Sequence, residues 1–370
     1  MNRSLRAGAA VLPPLGAFVA VRILFAEAAA AVGFDAASAG SWSRWDSGHY
    51  LAIATGGYEY FSCARIGGRA SDVCGNAAWF PLYPWMLKPF IALGAAPASA
   101  GVWVSGLAAL GMLMALWNGF LRGHGVRGWI VLGMAAVFPG AVYQHAVFPT
   151  SLALLCLVLA GFSVTRERWA LAGVFGAGVA LAYVTGVLVA VPNALSAFAR
   201  SRRLRAAVIA GGLAGCGLLL VLVLHQVLLG RWDAFYWVHR KGLLAMARPL
   251  DAFLGVMGPA FDGRSDPRAR TVGVQTLTVA ILVLLGLGTA VLARRLPSTV
   301  RSWALVTTLV FWVFPLVVGR GVSLYRSEAL VLPVLLLLVE LPVWVLGPVL
   351  LWTGVLAERM GRLFFTGYLV

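Results

Sequence analysis

The feature that most constrains this chain is the alternation of long apolar runs with short clusters of arginine. The runs lie at roughly 8–32, 99–121, 129–148, 149–165, 169–183, 186–198, 206–229, 271–293, 302–319 and 327–357. The clusters are Arg3/Arg6, Arg122/Arg127, Arg166/Arg168, Arg200/Arg202/Arg203/Arg205 and Arg294/Arg295/Arg301. A helix of about 20 apolar residues crosses the hydrocarbon core of a bilayer, and arginine gathers in the cytoplasmic loops between spans. With the N-terminus inside and 80–94 (Lys88 and three prolines) lying at the interface, all five clusters fall on the cytoplasmic side. Making 80–94 a full span would move four of them outside. The first arrangement is the expected one.

Apolar residues make up 61% of the 370 and charged residues 11%, too little polar surface for a water-soluble chain. The expectation is an all-α integral membrane protein, one domain over 1–370, with about 10–11 membrane segments. The net charge of +16 is confined to the inter-span clusters, which fits topology and contact with anionic lipid headgroups and argues against nucleic acid. Arg3 and Arg6 precede an apolar run without a clear small-residue cleavage site, so that run reads as a span.

Some segments are short. The runs 169–183 and 186–198 read as a re-entrant hairpin turning at Tyr183-Val184-Thr185-Gly186. Irregular backbone at that depth needs protein or a water-filled cavity around it, so a cavity open to the outer face is expected above the turn. The runs 129–148 and 149–165 meet on the same side, near His145 and Pro149. The run 327–357, with Glu340 and Pro342, is too long for one span and short for two.

The polar and aromatic material gathers on the outer side: loop 33–98, the turns near 144–151 and 183–186, loop 230–270, and 319–328. In the first loop, Ser43-Arg44-Trp45-Asp46-Ser47-Gly48-His49-Tyr50 begins a short helix over 47–55 that ends at Gly56-Gly57. Asp46 has two readings. It is a helix N-cap, or it is a general base tuned by Arg44 and His49. Glu59 and Asp72 are weaker candidates for acceptor binding. Trp232, Phe235, Tyr236 and Trp237 form either an interfacial aromatic belt or a sugar platform. Cys63 and Cys74 share the outer loop and are expected to pair in an oxidising compartment. Cys156 and Cys216 lie in apolar runs, and no Cys/His spacing suggests zinc.

Two linked motifs carry a family resemblance. Arg44-Trp45-Asp46-(x)2-His49-Tyr50-Leu51-(x)-Ile53-Ala54-(x)2-Gly57-Tyr58, followed by Trp79-Phe80-Pro81-Leu82-Tyr83-Pro84, resembles the signature of the PIG-V family. These are the second mannosyltransferase of GPI-anchor synthesis and its bacterial relatives, among the multi-span GT-C glycosyltransferases. Gly230-Arg231-Trp232-Asp233-Ala234-Phe235 and Tyr325-Arg326 with Pro333 add weaker similarity.

The resemblance implies a GT-C-type helical bundle with a catalytic first outer loop. It implies transfer of a sugar, most simply mannose, from a polyprenyl-phosphate donor to a lipid or glycan hydroxyl, with inversion. Asp46 would be the general base. Arg44, His49, Tyr50, Tyr58, His239, Arg240, Arg320 and Arg326 (with Lys241) would serve substrate and donor phosphate, and Glu59, Asp72 and Tyr83 the acceptor. No cofactor is required, and a divalent metal is left open. The composition suggests a bacterial plasma membrane, with the site extracytoplasmic. The chain departs from the family at two turns: Phe148-Pro149-Thr150-Ser151-Leu152 stands where many members carry a Glu, and Tyr183-Val184-Thr185-Gly186 where many carry an Arg. Two alternatives follow: a GT-C relative with a different lipid-phosphate sugar, and a catalytically silent homologue that scaffolds envelope-glycan assembly.

Overall fold

The computed structural model describes residues 3–239, 246–292, 296–318 and 323–369. The described residues are predominantly helical, with one two-stranded antiparallel hairpin, Tyr60–Ser62 against Val73–Gly75. Seven helical stretches are long and apolar enough to cross a membrane: Gly8–Ala30, Pro97–Ala136, Val184–Ser201, Leu204–Leu229, Pro267–Leu292, Ser298–Val317 and Val343–Phe365. The chain is an integral membrane protein.

Three departures from regular helix explain how the apolar runs are used. The stretch Pro97–Ala136 is not a straight rod. Trp117 and Trp129 have ring centroids 5.2 Å apart, whereas twelve residues of straight α-helix would separate them by about 18 Å. The chain folds back at Gly125, whose φ of +56° suits a residue without a Cβ. The run 129–148 is likewise not one helix: Gly125–Ala136 ends before Pro139-Gly140, and Val142–His145 forms a separate turn.

The second departure is the hairpin over 169–201. Trp169–Ala182 ends at an extended Tyr183, a 3-10 segment Val184–Val189 makes the turn, and Ala190–Ser201 returns. Gly186 sits so close to the preceding limb that a Cβ would lie 2.1 Å from the Val179 carbonyl oxygen. Asn193 donates to the Ala172 carbonyl at 3.0 Å, and Arg200 pairs with Glu167 at 2.8 Å. Both limbs therefore leave from the same end of the bundle.

The third departure is the C-terminal run. Residues 324–339 form a broken rod of short helices, Leu324–Ser327, Glu328–Val331 (3-10) and Val334–Leu338. Nearly all of it is buried in the centre of the bundle. The 3-10 turn rises about 2.0 Å per residue against about 1.5 Å for α-helix, so a short segment reaches farther than its length suggests. The chain then turns at Pro342 and returns as Val343–Phe365. Of this run, Val343–Phe365 is long and apolar enough to cross a membrane, and it continues past 357, where Glu358 and Arg362, one turn apart, form an ion pair.

The bundle has two distinct ends. At one, the Ala9 and Ala10 carbonyls accept from the Trp117 and Asn118 side chains, and Phe120 packs on Phe162 beside Arg166. The clusters at 122, 166 and 200 collect there. At the other end, Phe25 and Ala28 of the first helix meet Gly361 of the last, and Trp42 packs on Phe365. The loop 33–98 sits on this second end. Its helix Leu82–Ala92, at 11 residues, is too short to cross the bilayer.

Candidate active site

Ser47–Gly56 forms the short helix expected in the first loop, and Asp46 precedes it. The N-cap reading of Asp46 is corrected. Asp46 already has helical dihedrals (φ −59°, ψ −16°) and its carboxylate makes no capping hydrogen bond. A side-chain cap requires an extended residue whose oxygen can reach back to the second or third amide. The carboxylate turns instead to Arg326, 280 residues along the chain, whose Nη1 donates to Asp46 Oδ2.

Both partners are held by constrained backbone. Trp45, directly before Asp46, has φ +47°, and Ser323, three residues before Arg326, has φ +54°. Non-glycine residues in the left-handed region carry a conformational cost that the surrounding structure must hold in place. Arg326 also donates through Nη2 to the Ser323 hydroxyl at 2.6 Å. Behind it, Gln275 donates to the Tyr325 carbonyl at 3.0 Å and to the Glu328 carboxylate at 2.6 Å. Both Gln275 and Glu328 are buried. This clamp fixes the turn that carries Arg326.

The ion pair faces a cavity of about 350 Å³. The pair is not sealed in: the Arg326 side chain is 14% exposed and that of Asp46 31%. Most of the wall is aromatic or aliphatic, with Tyr50, Trp79, Phe80, Phe148, Tyr183 and Phe235 among its members. Polar groups come from His239, Thr185, Ser323 and Ser327. The turns at 148 and 183–185 both line this cavity, and they contribute no charge to it. The cavity expected above the re-entrant turn is present.

Two histidines flank the opening. His49 stacks face to face on Trp79, centroids 3.5 Å apart and planes 15° off parallel. His239 also lies near Trp79, ring centroids 6.1 Å apart, with Nε2 3.3 Å from the Ala78 carbonyl oxygen. A carbonyl only accepts, so that contact places the proton on Nε2. Burial lowers the pKa of His49, and the negative charge of Asp46 partly opposes it. Burial likewise lowers that of His239, against the Ala78 hydrogen bond and Asp46. Both imidazoles are therefore biased toward the neutral form.

The remaining residues divide clearly. Asp46, Tyr50, His239 and Arg326 line the cavity, and His49 supports it through Trp79. Arg44 points elsewhere: its Nη2 donates to the Phe365 carbonyl at 3.0 Å and its guanidinium lies over Phe34. It tethers the loop to the end of the last helix. Tyr58 donates to the Trp79 carbonyl at 2.9 Å. Asn76 bridges Gly57 and Glu59, so the two motifs are stitched to each other. Tyr83 is fully buried, 3.0 Å from the Gly101 carbonyl oxygen and 2.8 Å from the Ser105 hydroxyl, a core role.

Glu59 is exposed, and Asp72 lies in the hairpin loop, its carbonyl accepting from Cys63; neither lines the cavity. Cys63 and Cys74 form the expected disulfide. His145 is buried between Phe18 and Phe25 and away from the cavity. The aromatic run splits: Phe235 faces the cavity while Trp232 and Tyr236 are exposed. Arg240, Lys241 and Arg320 lie outside the described residues. Among the described residues no group of three or more His, Cys, Asp and Glu is placed to hold a metal ion.

Sequence reasoning missed the Gln275–Glu328 clamp and the lining hydroxyls of Ser323 and Ser327. An isolated Glu and Gln in two separate apolar runs were the available signal, since intramembrane polar residues pair with one another. Comparison of the chain with known protein families and with curated proteins finds no match.

Proposed function

We propose that the Asp46–Arg326 cavity is the active site of a GT-C-type membrane glycosyltransferase. The enzyme moves a sugar, most simply mannose, from a polyprenyl-phosphate donor to a lipid or glycan hydroxyl on the extracytoplasmic face of a bacterial plasma membrane. The observation that carries this reading is the convergence of one carboxylate and one guanidinium on an aromatic-lined cavity, at the bundle end opposite the arginine clusters. Arginine clusters mark the cytoplasmic side, so the cavity opens outward, where lipid-phosphate sugars are the donors available without nucleotides.

The chemistry assigns each group a task. The acceptor O–H gives its proton to the Asp46 carboxylate as the oxygen bonds to the anomeric carbon. The bond from that carbon to the phosphate oxygen breaks, and its electron pair leaves with the lipid phosphate. Arg326 meets the charge that develops there. Fixed donors aimed at developing charge are the largest common contribution to such rates. Arg326 therefore has two anionic partners in the cycle: Asp46 at rest and the phosphate during transfer.

A second reading shares the fold and changes the donor. The neutral turns at Phe148 and Tyr183–Thr185 leave the described cavity with Arg326 as its cation, which favours a lipid-phosphate sugar other than mannose. The test is transfer by the full chain, in membranes, from polyprenyl-phosphate mannose and polyprenyl-phosphate glucose in parallel. Transfer from either donor that Asp46→Asn abolishes supports the assignment, and the preferred donor decides between the two readings. Absence of transfer from both donors, in membranes supplying native lipid acceptors, removes the catalytic reading and leaves a scaffold.

A further inference from the structure

A second cavity, of about 490 Å³, lies away from Asp46, between the start of the helix Pro267–Leu292 and the last turns of Val343–Phe365. It stands at the same end of the bundle as the first loop. Gln275, eight residues into the first of these helices, reaches the Tyr325 carbonyl beside Arg326. Farther along the antiparallel partner, the Phe365 carbonyl holds Arg44. The two helices are joined below the cavity by Trp352 Nε1 donating to the Thr278 hydroxyl at 3.0 Å.

The lining is graded along the membrane normal. Arg270, Arg359 and Thr271 stand toward the helix ends, and Val274, Val355 and Trp352 stand deeper. The Arg270 Nε is buried and has no hydrogen-bond partner. Among the described residues, no carboxylate lines the space. The neighbouring acids are engaged elsewhere: Glu358 with Arg362, Asp266 with the Arg268 amide, and Asp262, within reach of the Arg270 field, with the Arg264 amide and the Ser265 hydroxyl. Two guanidiniums above an apolar wall, one with a buried unmatched donor, call for an anion that carries a hydrocarbon tail. Below the cavity the outward face of the last helix is apolar, with Leu351 73% exposed.

We infer that this cavity binds the phosphate headgroup of an anionic lipid from the leaflet at that end, with Arg270 and Arg359 on the phosphate and an acyl chain along Val274, Trp352 and Val355. Arginine matches phosphate as a forked donor, and each basic residue near a membrane surface contributes on the order of tenfold or less to such binding. The site is independent of catalysis at Asp46.

Native mass spectrometry of the detergent-purified full chain, titrated with phosphatidylglycerol or phosphatidylcholine, tests it. The wild-type chain is expected to hold one phosphatidylglycerol in preference to phosphatidylcholine. Arg270→Gln/Arg359→Gln should weaken that binding roughly ten- to thirtyfold, about the worth of two near-surface charges, while Arg270→Lys/Arg359→Lys retains most of it. A molar excess of inorganic phosphate should leave the lipid in place, because the tail contributes. Undiminished phosphatidylglycerol binding by the Gln variant overturns the inference, as does equal binding of phosphatidylcholine. Displacement by inorganic phosphate reduces the site to one for a free anion and also overturns it. Should the Gln variant fail to fold, the wild-type chain decides: phosphatidylglycerol with brominated acyl chains must quench Trp352 more than its phosphatidylcholine counterpart does. That excess, read as the difference from Trp352→Phe, is absent if the cavity takes no anionic lipid.

Discussion

At the end of the bundle that carries the arginine clusters, the Asn193 side chain donates to the Ala172 carbonyl and accepts from Trp303 Nε1 at 3.0 Å. At the other end Arg326 donates to Asp46. Each junction ties segments more than 100 residues apart (110 from Asn193 to Trp303, 280 from Asp46 to Arg326). Asn193 and Trp303 are at most 1% exposed, in close-packed surroundings. Asp46 and Arg326 border an open cavity, and each follows a left-handed residue, Trp45 directly and Ser323 three positions before. A neutral junction buried without space is a joint. A charged junction beside space, held in a costly conformation, is a candidate site.

The sharpest way to break that distinction is to remove one charge and keep the shape. Asp46→Asn retains the side-chain volume but cannot take a proton, so transfer should fall by about 10²–10⁴-fold, the usual range for loss of a general base. The melting temperature should stay close to wild type, because Arg326 keeps Ser323 and access to the cavity. Arg326→Gln should cost transfer about 10²–10³-fold, as for removal of a donor to developing charge. Sugar transfer per folded protein, measured beside thermal unfolding in detergent, checks both. Wild-type transfer by Asp46→Asn would make the pair a joint like the other.

How far the sequence reveals these two regions differs for a physical reason. The apolar helical character, the hairpin that turns at 183–186, the cavity lined by that turn and the cysteine pair were legible, because apolar length, arginine placement and a shared loop are local signals. Asp46 and Tyr50 were legible as candidates for the same reason. The partner of Asp46 was not. Arg326 was one of several cations on the outer side, and nothing local to 43–58 selects it. Arg44, two residues from Asp46 in sequence, points the other way to Phe365, since the left-handed turn at Trp45 separates the two side chains. The broken rod 324–339 left the span count of 327–357 open, because 3-10 turns lengthen a short segment.

The hairpin offers an intermediate case, a covalent joint beside the site. Cys63–Cys74 closes a loop of about 12 residues, which constrains the unfolded loop by roughly 3 kcal/mol in a chain-entropy estimate. Cys63→Ser/Cys74→Ser should speed protease cleavage within 59–78. The transmembrane bundle should unfold as before, because Asn76 still bridges Gly57 and Glu59. A large loss of bundle stability would show that the hairpin supports the fold as well as the cavity rim.

At the neutral joint the expected loss is one of stability alone. Asn193→Ala leaves the buried Trp303 Nε1 without an acceptor, a cost of about 1–3 kcal/mol. Thermal unfolding should shift down, with specific transfer by the folded fraction unchanged. Asn193→Asp tests the sign of charge at the same place. It keeps an acceptor for Trp303 but buries a carboxylate, and should destabilise more than Ala. A selective loss of transfer in either variant would extend the site across the bundle.

The smallest effect expected is on acidity at the cavity rim. Burial holds the pKa values of His49 and His239 below the ordinary 6.5. In the window between the folded and ordinary values the unfolded chain binds more protons than the folded one, so stability rises with pH there. The contribution is fully present above 6.5 and is lost as pH falls through that value toward the folded ones. Charging His49 would also set a cation beside Trp79, close to the Asp46–Arg326 pair it must not disturb. Protease sensitivity of the first loop should therefore rise modestly on acidification. His49→Phe, which keeps the stack on Trp79, should flatten part of that rise. His239→Phe should flatten the rest but lose the Ala78 hydrogen bond, raising sensitivity at every pH. The Asn193 junction has no titrating group, and unfolding of an Asn193→Ala chain should show the wild-type pH dependence displaced by a constant. A pH profile unchanged by both histidine substitutions would place the acid-sensitive group elsewhere and detach the rim histidines from the site.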